Sequence, residues 1–167
     1  MSKRYRTFRI CCGIVGIGLL AAMWLFSSQT GEESGKLSNS IAHFFMRLFS
    51  IEDNPKNLNM VDHIVRKTAH FSLFCLLGLS LGFAFAVPEK PVRAFWAFPV
   101  ALLSAIADEY HQSFVASRSA IWQDSLLDGC GALTGTVIAF LILLIVRKRV
   151  RTLSAPSGHL SQRERQE

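Results

Sequence analysis

Four apolar runs separated by polar connections constrain this chain most: Ile10 to Phe26, Thr68 to Val87, Val92 to Ala107 and Leu126 to Val146. An α-helix rises 1.5 Å per residue, so about 20 residues cross a hydrocarbon core about 30 Å thick. The second and fourth runs meet that length outright. The first and third, roughly 16 or 17 residues long, sit at its short edge, so their polar ends must lie at or just inside the interface. Lipid offers backbone amides no hydrogen bonds, so segments of this kind cross as helices. The expected fold is an all-α membrane protein, a four-transmembrane-helix bundle.

Composition agrees. The chain has 167 residues, room for one domain, and only 18% of them are charged, against about a quarter in soluble domains. A net charge of +6 raises the question of nucleic acid. The basic residues, however, gather at the two ends beside apolar runs (Lys3, Arg4, Arg6, Arg9; Arg147, Lys148, Arg149, Arg151). That is the pattern of topology signals, and no nucleic-acid partner is expected. A cleaved signal peptide would also follow a basic start, but the first run continues into Phe26-Ser27-Ser28-Gln29 with no clear cleavage site, so retention is expected. Cys11, Cys12, Cys75 and Cys130 lack metal or redox spacing and read as small buried hydrophobes.

Lys/Arg asymmetry gives an orientation. A cytoplasmic N-terminus puts Lys90, Arg93 and the Arg147–Arg151 cluster inside as well, so both termini are expected in the cytoplasm. The membrane domain is taken as residues 1–151, and the polar stretch 152–167 as a disordered tail. Between the first two spans, Leu37, Ile41, Phe44, Phe45, Leu48 and Phe49 recur at helical spacing opposite Asn39, Ser40, His43 and Arg47. An amphipathic helix is expected there, on the outer surface or capping the bundle. After turn formers around Asn54, Pro55 and Asn57, a second helix should begin near Asn59 and run into the second span. Pro99 should kink the third span mildly, and Gly129, Gly131 and Gly135 suit close helix packing in the fourth.

The ionisable and polar residues at the span ends are the unusual part, because such groups are costly in a membrane and ordinarily face an interior or a water-filled cavity. Ser28 and Gln29 close the first span. Arg66, Lys67 and His70 open the second, with Arg66 and His70 on one helix face. Asp108, Glu109 and Gln112 close the third, Asp108 and Gln112 again four apart. Arg118, Asp124 and Asp128 precede and open the fourth. Asp124 and Asp128 share a face, so the two carboxylates repel unless a cation, Arg118 or a proton intervenes. Each group has a plain structural explanation as interface polarity, snorkelling anchor or helix cap. Their convergence does not: under the expected topology all four groups reach the same, outer, membrane face.

These elements resemble the VanZ-like family of bacterial membrane proteins. The matching residues are Phe26 to Gln29 (FSSQ), Arg66 to Phe71 (RKTAHF), Asp108 to Phe114 (DEYHQSF), Arg118, and Asp124 with Asp128 leading into a glycine-rich helix. The resemblance implies a cell-envelope membrane protein; the family's namesake is associated with resistance to the glycopeptide teicoplanin. Three functions compete. In the first, the chain binds an envelope lipid or a lipid-linked cell-wall precursor at the outer leaflet, Arg66, Lys67 and Arg118 suiting phosphate and Asp108, Glu109 and Gln112 suiting sugar hydroxyls. In the second, it is a membrane-embedded hydrolase or transferase on such a lipid, with His70 as base or nucleophile, Glu109 or Asp124 as its partner and Arg118 stabilising phosphate charge. A transporter would need a polar path that the clean lower spans do not offer. No cofactor is expected, although His70, Glu109, Asp124 and Asp128 have the ligand types of a divalent metal; no dense motif such as HExxH is present. Pro156 to His159 (PSGH) resembles a lipid-phosphatase motif but stands in the polar tail without its partner motifs, and reads as coincidence.

Overall fold

The computed structural model describes residues 3–116 and 121–153. They form five α-helices: α1 (Lys3–Ser27), α2 (Gly31–Leu48), α3 (Pro55–Phe85), α4 (Ala97–Gln112) and α5 (Trp122–Leu153). A short 3₁₀ helix, Pro91–Trp96, leads into α4. Four helical stretches are long and apolar enough to cross a membrane; the third combines that 3₁₀ segment with α4. The bundle exposes large apolar side chains along its sides, among them Ile14, Ile17, Leu25, Leu103, Ile106, Leu141 and Ile145. In water these would be a liability, whereas lipid accepts them.

Local chemistry sets the helix ends. Thr30 caps α2 through a reciprocal box: Glu33 N donates to Thr30 Oγ1 (3.3 Å) and Thr30 N to Glu33 Oε2 (3.1 Å). The same helix stops at Ser50, a non-glycine residue at φ 53°. Ile51 N donates to Met46 O (2.8 Å) and Ser50 N to Arg47 O (3.3 Å), the paired bonds of a Schellman stop, and Ile51 packs on the Met46 cluster. Asn54, expected within a turn, caps α3 instead, accepting from Asn57 N at 2.9 Å with Pro55 in the first turn. Hence α3 begins at Pro55 and not near Asn59. Its 31 residues span about 46 Å, more than a bilayer core needs.

The overhanging start of α3 packs against α2: Ala42 and Met46 bury against Val61, with Leu58 and Val65 beside them. The exposed stripe of α2 (Leu37, Ile41, Phe44, Leu48) points away from this contact. The helix thus packs on the overhanging start of α3 with its apolar stripe exposed. Pro99 falls in the first turn of α4, directly after the 3₁₀ segment that leads into it. Cys11 and Cys130 are exposed, and only Cys12 and Cys75 are partly buried; the reading of all four as buried hydrophobes fails for the first two.

Helix α3 contacts every other helix, and most extensively α5, to which it runs parallel. The seam between them is built from small residues. A Cβ on Gly135 would collide with the backbone carbonyl of Cys75, one on Gly131 with that of Phe71, and one on Gly78 with that of Ala132. Gly82 opposes Ala139, whose Cβ would stand 2.7 Å from an added one. Phe74, Leu77 and Leu81 of α3 then bury against Ala97, Ala101 and Ala105 of α4, Ala132 of α5 and Met23 of α1.

Candidate functional site

Two ends of the bundle are defined by contacts. At one, Arg9 Nε donates to Ala84 O (2.8 Å), Phe8 packs edge-on against Phe83, and Tyr5 joins a cluster with Ala86, Ala94 and Leu143. The start of α1, the α3–α4 connection and the later part of α5 meet there, and Glu89 is the one acidic residue among the described residues of those segments. At the other end, Gly31 N donates to Ala116 O (3.2 Å), Ser28 Oγ lies 3.2 Å from His111 Nε2, and the Trp24 and His111 rings lie 4.8 Å apart. Each group of polar residues singled out from the sequence arrives at this second end, except Arg118, which lies outside the described residues, as does the PSGH sequence.

The parallel register of α3 and α5 decides who meets whom. Lys67 Nζ donates to Asp124 Oδ1, and one turn further on His70 Nδ1 stands 3.4 Å from Asp128 Oδ2. The two carboxylates that repel in sequence thus each face a different side chain of α3. On α4, Gln112 Nε2 donates to Asp108 Oδ2 at 2.7 Å, the contact that their i,i+4 spacing suggests. Glu109 faces elsewhere: its Oε1 accepts from Ile121 N and ties the end of α4 to the start of α5. His70 is accordingly paired with Asp128. Arg66 pairs with Asp62 (Nη2–Oδ2 2.7 Å).

Asp62 is the residue the sequence reading missed. It is 6% exposed, and its spacing to Arg66 was the available signal. Ser27, buried, and His111 also belong to this end. Asp108 and Asp128 are 4% and 2% exposed, and each has a buried Oδ1 with no hydrogen-bond partner.

Two cavities open here. One, about 200 Å³, lies between α1, α2, α3 and α4 and is walled mainly by apolar groups such as Met23, Phe26, Leu37, Ile41, Leu73 and Phe74, with Gln29 and Asp108 at its polar edge. The other, about 250 Å³, is polar and lined by His63, Lys67, Gln112, Asp124 and Asp128. Arg66 and His70 belong to both.

No curated protein and no solved structure matches this chain. A family model described as VanZ/LLP1 matches residues 13–144, a span that takes in the core of every helix and every candidate site residue. With four membrane-spanning helices and a match over most of its length, the chain belongs to the VanZ/LLP1 family of multi-pass membrane proteins.

Proposed function

We propose that this protein binds an amphiphile with an anionic headgroup, an envelope lipid or lipid-linked cell-wall precursor, at the outer leaflet of the bacterial plasma membrane. The observation that carries the reading is the shared wall of the two cavities. A hydrocarbon segment fits the apolar cavity, a phosphate or pyrophosphate fits against Arg66, and hydroxyls fit the Asp124 and Gln112 side. Leu37 and Ile41 belong both to the apolar cavity and to the exposed stripe of α2, so a chain lying in the bilayer reaches the cavity sideways. Asp62 accepts from one guanidinium nitrogen of Arg66, and a guanidinium carries five donors.

The outer location rests on charge. The opposite end is basic, and such ends remain in the cytoplasm, which leaves both termini inside. Glycopeptides act on the outer face, where a precursor-binding protein would compete for or shield the same lipids; on this reading the family namesake's link to teicoplanin has a physical basis.

A fluorescent polyprenyl-pyrophosphate sugar, titrated into the purified protein in nanodiscs, tests the binding. Arg66→Gln is expected to weaken it about tenfold or more, the loss of a charged hydrogen bond. Equal binding by wild type and variant would end the proposal. Single cysteines at Ser34 and Glu89, probed with an impermeant thiol reagent in intact cells, test the side: Ser34 should label and Glu89 should not.

One observation favours a catalytic reading as runner-up. An imidazole oriented by a carboxylate, as His70 is beside Asp128, is the arrangement of a general base. That reading requires phosphate release from the same lipid, abolished by His70→Gln.

A further inference from the structure

We propose that His70, Asp108 and Asp128 form a binding site for a divalent transition-metal cation, Mn²⁺ or Zn²⁺. They come from α3, α4 and α5, and their donor atoms, one from each, all lie within 4.8 Å of one another. A cation at 2.0–2.2 Å from each ligand separates two donors by at most about 4.4 Å. The three side chains therefore need only a small closing movement to share an ion.

The electrostatics call for a cation at this point. Two carboxylates, 4% and 2% exposed, are buried together, and leaving such charges uncompensated is strongly unfavourable. Among the described residues, the neighbouring Arg66 and Lys67 are engaged elsewhere, Arg66 with Asp62 and Lys67 with Asp124. Beside the pair, among the described residues, stand the His70 imidazole and the Gln112 carboxamide, which fixes Asp108 through Oδ2. Both Oδ1 atoms are buried without a partner. Unused carboxylate oxygens beside an imidazole, on a side chain held by a neighbouring amide, are what metal ligands look like before the ion is added.

The donor set narrows the metal. One nitrogen and two carboxylate oxygens are harder than a thiolate site and softer than the all-oxygen cages of Ca²⁺ or Mg²⁺, which favours Mn²⁺, Fe²⁺ or Zn²⁺. Three protein ligands leave coordination positions open, and His70 borders both cavities. An ion there is within reach of a ligand in either one. The site stands independently of the lipid proposal, because metal binding is measured without any lipid-linked ligand.

The set differs from the one the sequence suggests. His70 and Asp128 are retained, Asp108 enters, and Glu109 and Asp124 leave, because the Ile121 amide and Lys67 hold them.

The test is a titration of metal-stripped, full-length protein in detergent with Mn²⁺, followed by loss of the free-ion electron paramagnetic resonance signal, then by competition with Zn²⁺. One ion per chain is expected, displaced by Zn²⁺, and the ion should raise the melting temperature. Asp108→Asn with Asp128→Asn keeps side-chain shape and should weaken binding at least about tenfold and abolish the melting shift. His70→Gln, at a half-buried position, provides a second variant should the double one fail to fold. Glu109→Gln should leave affinity unchanged; a loss there moves the ion to the other set and overturns the assignment. Failure of the wild-type protein to bind either ion above the double variant overturns it outright, and points instead to a proton shared between the two aspartates.

Discussion

Helices α3 and α5 run parallel and meet in two unlike ways. Over most of the seam the contact is backbone against backbone through Gly78, Gly131 and Gly135, with Gly82 against the Ala139 methyl, and no charge is involved. At the site end the same two helices meet through Lys67 with Asp124 and His70 with Asp128. The first contact needs nothing but the absence of side chains, and in lipid such packing holds helices together without a hydrophobic driving force. The second gathers groups that would rather be hydrated. Sliding one helix by a single residue shifts it 1.5 Å and turns each side chain by about 100°, which would separate both polar pairs. The small-residue seam thus fixes the register, and the polar end is positioned by it.

The largest effect expected from breaking this relation is at Gly135. In Gly135→Val the new side chain runs into the Cys75 carbonyl, where backbone on both sides prevents relief. A loss of about 3 kcal/mol, the upper range for overpacking, should appear as a lowered melting temperature of the purified protein in detergent. Melting like that of the wild type would mean that the seam does not hold the register. A smaller effect is expected at the polar end. Lys67→Met leaves Asp124 without its cation at a position where both side chains are about 30% exposed (29% and 31%). The loss should be about 1–2 kcal/mol, between surface and buried pairs. Adding Asp124→Asn should restore most of it, so the double variant melts above the single one. An additive double variant would mean that the pair is mere proximity.

These two contacts also differ in how readable they are from sequence. The four spans, the apolar stripe of α2 and the Asp108–Gln112 contact follow from periodicity, which is local. So does the arrival of the polar groups at one end, once alternate span ends are counted. The pairing across α3 and α5 is not local. It depends on register, and register depends on where backbones approach, which involves Gly78 and Gly82 as much as the more conspicuous glycines of α5. Without it, Glu109 looks as good a partner for His70 as Asp128 does. Asp62 escaped because it precedes the apolar run that begins at Thr68, on the overhanging turns of α3.

The smallest predicted effect sharpens the comparison, because it keeps the helix and the residue type and changes only the surroundings. Gly129 lies on α5 six residues before Gly135, yet an added Cβ there would meet only the tip of Leu102, Cδ1 at 3.0 Å. A side-chain tip can rotate away by the few tenths of an ångström required, whereas the Cys75 carbonyl cannot. Alanine also favours the helix over glycine by up to about 1 kcal/mol, which offsets the adjustment of Leu102. Gly129→Ala is therefore expected to melt at or slightly above the wild-type temperature in the assay used for Gly135→Val. A destabilisation comparable to that of Gly135→Val would show that glycine is needed along α5 for some reason other than the approach of α3. The seam would then no longer explain why the polar residues meet where they do.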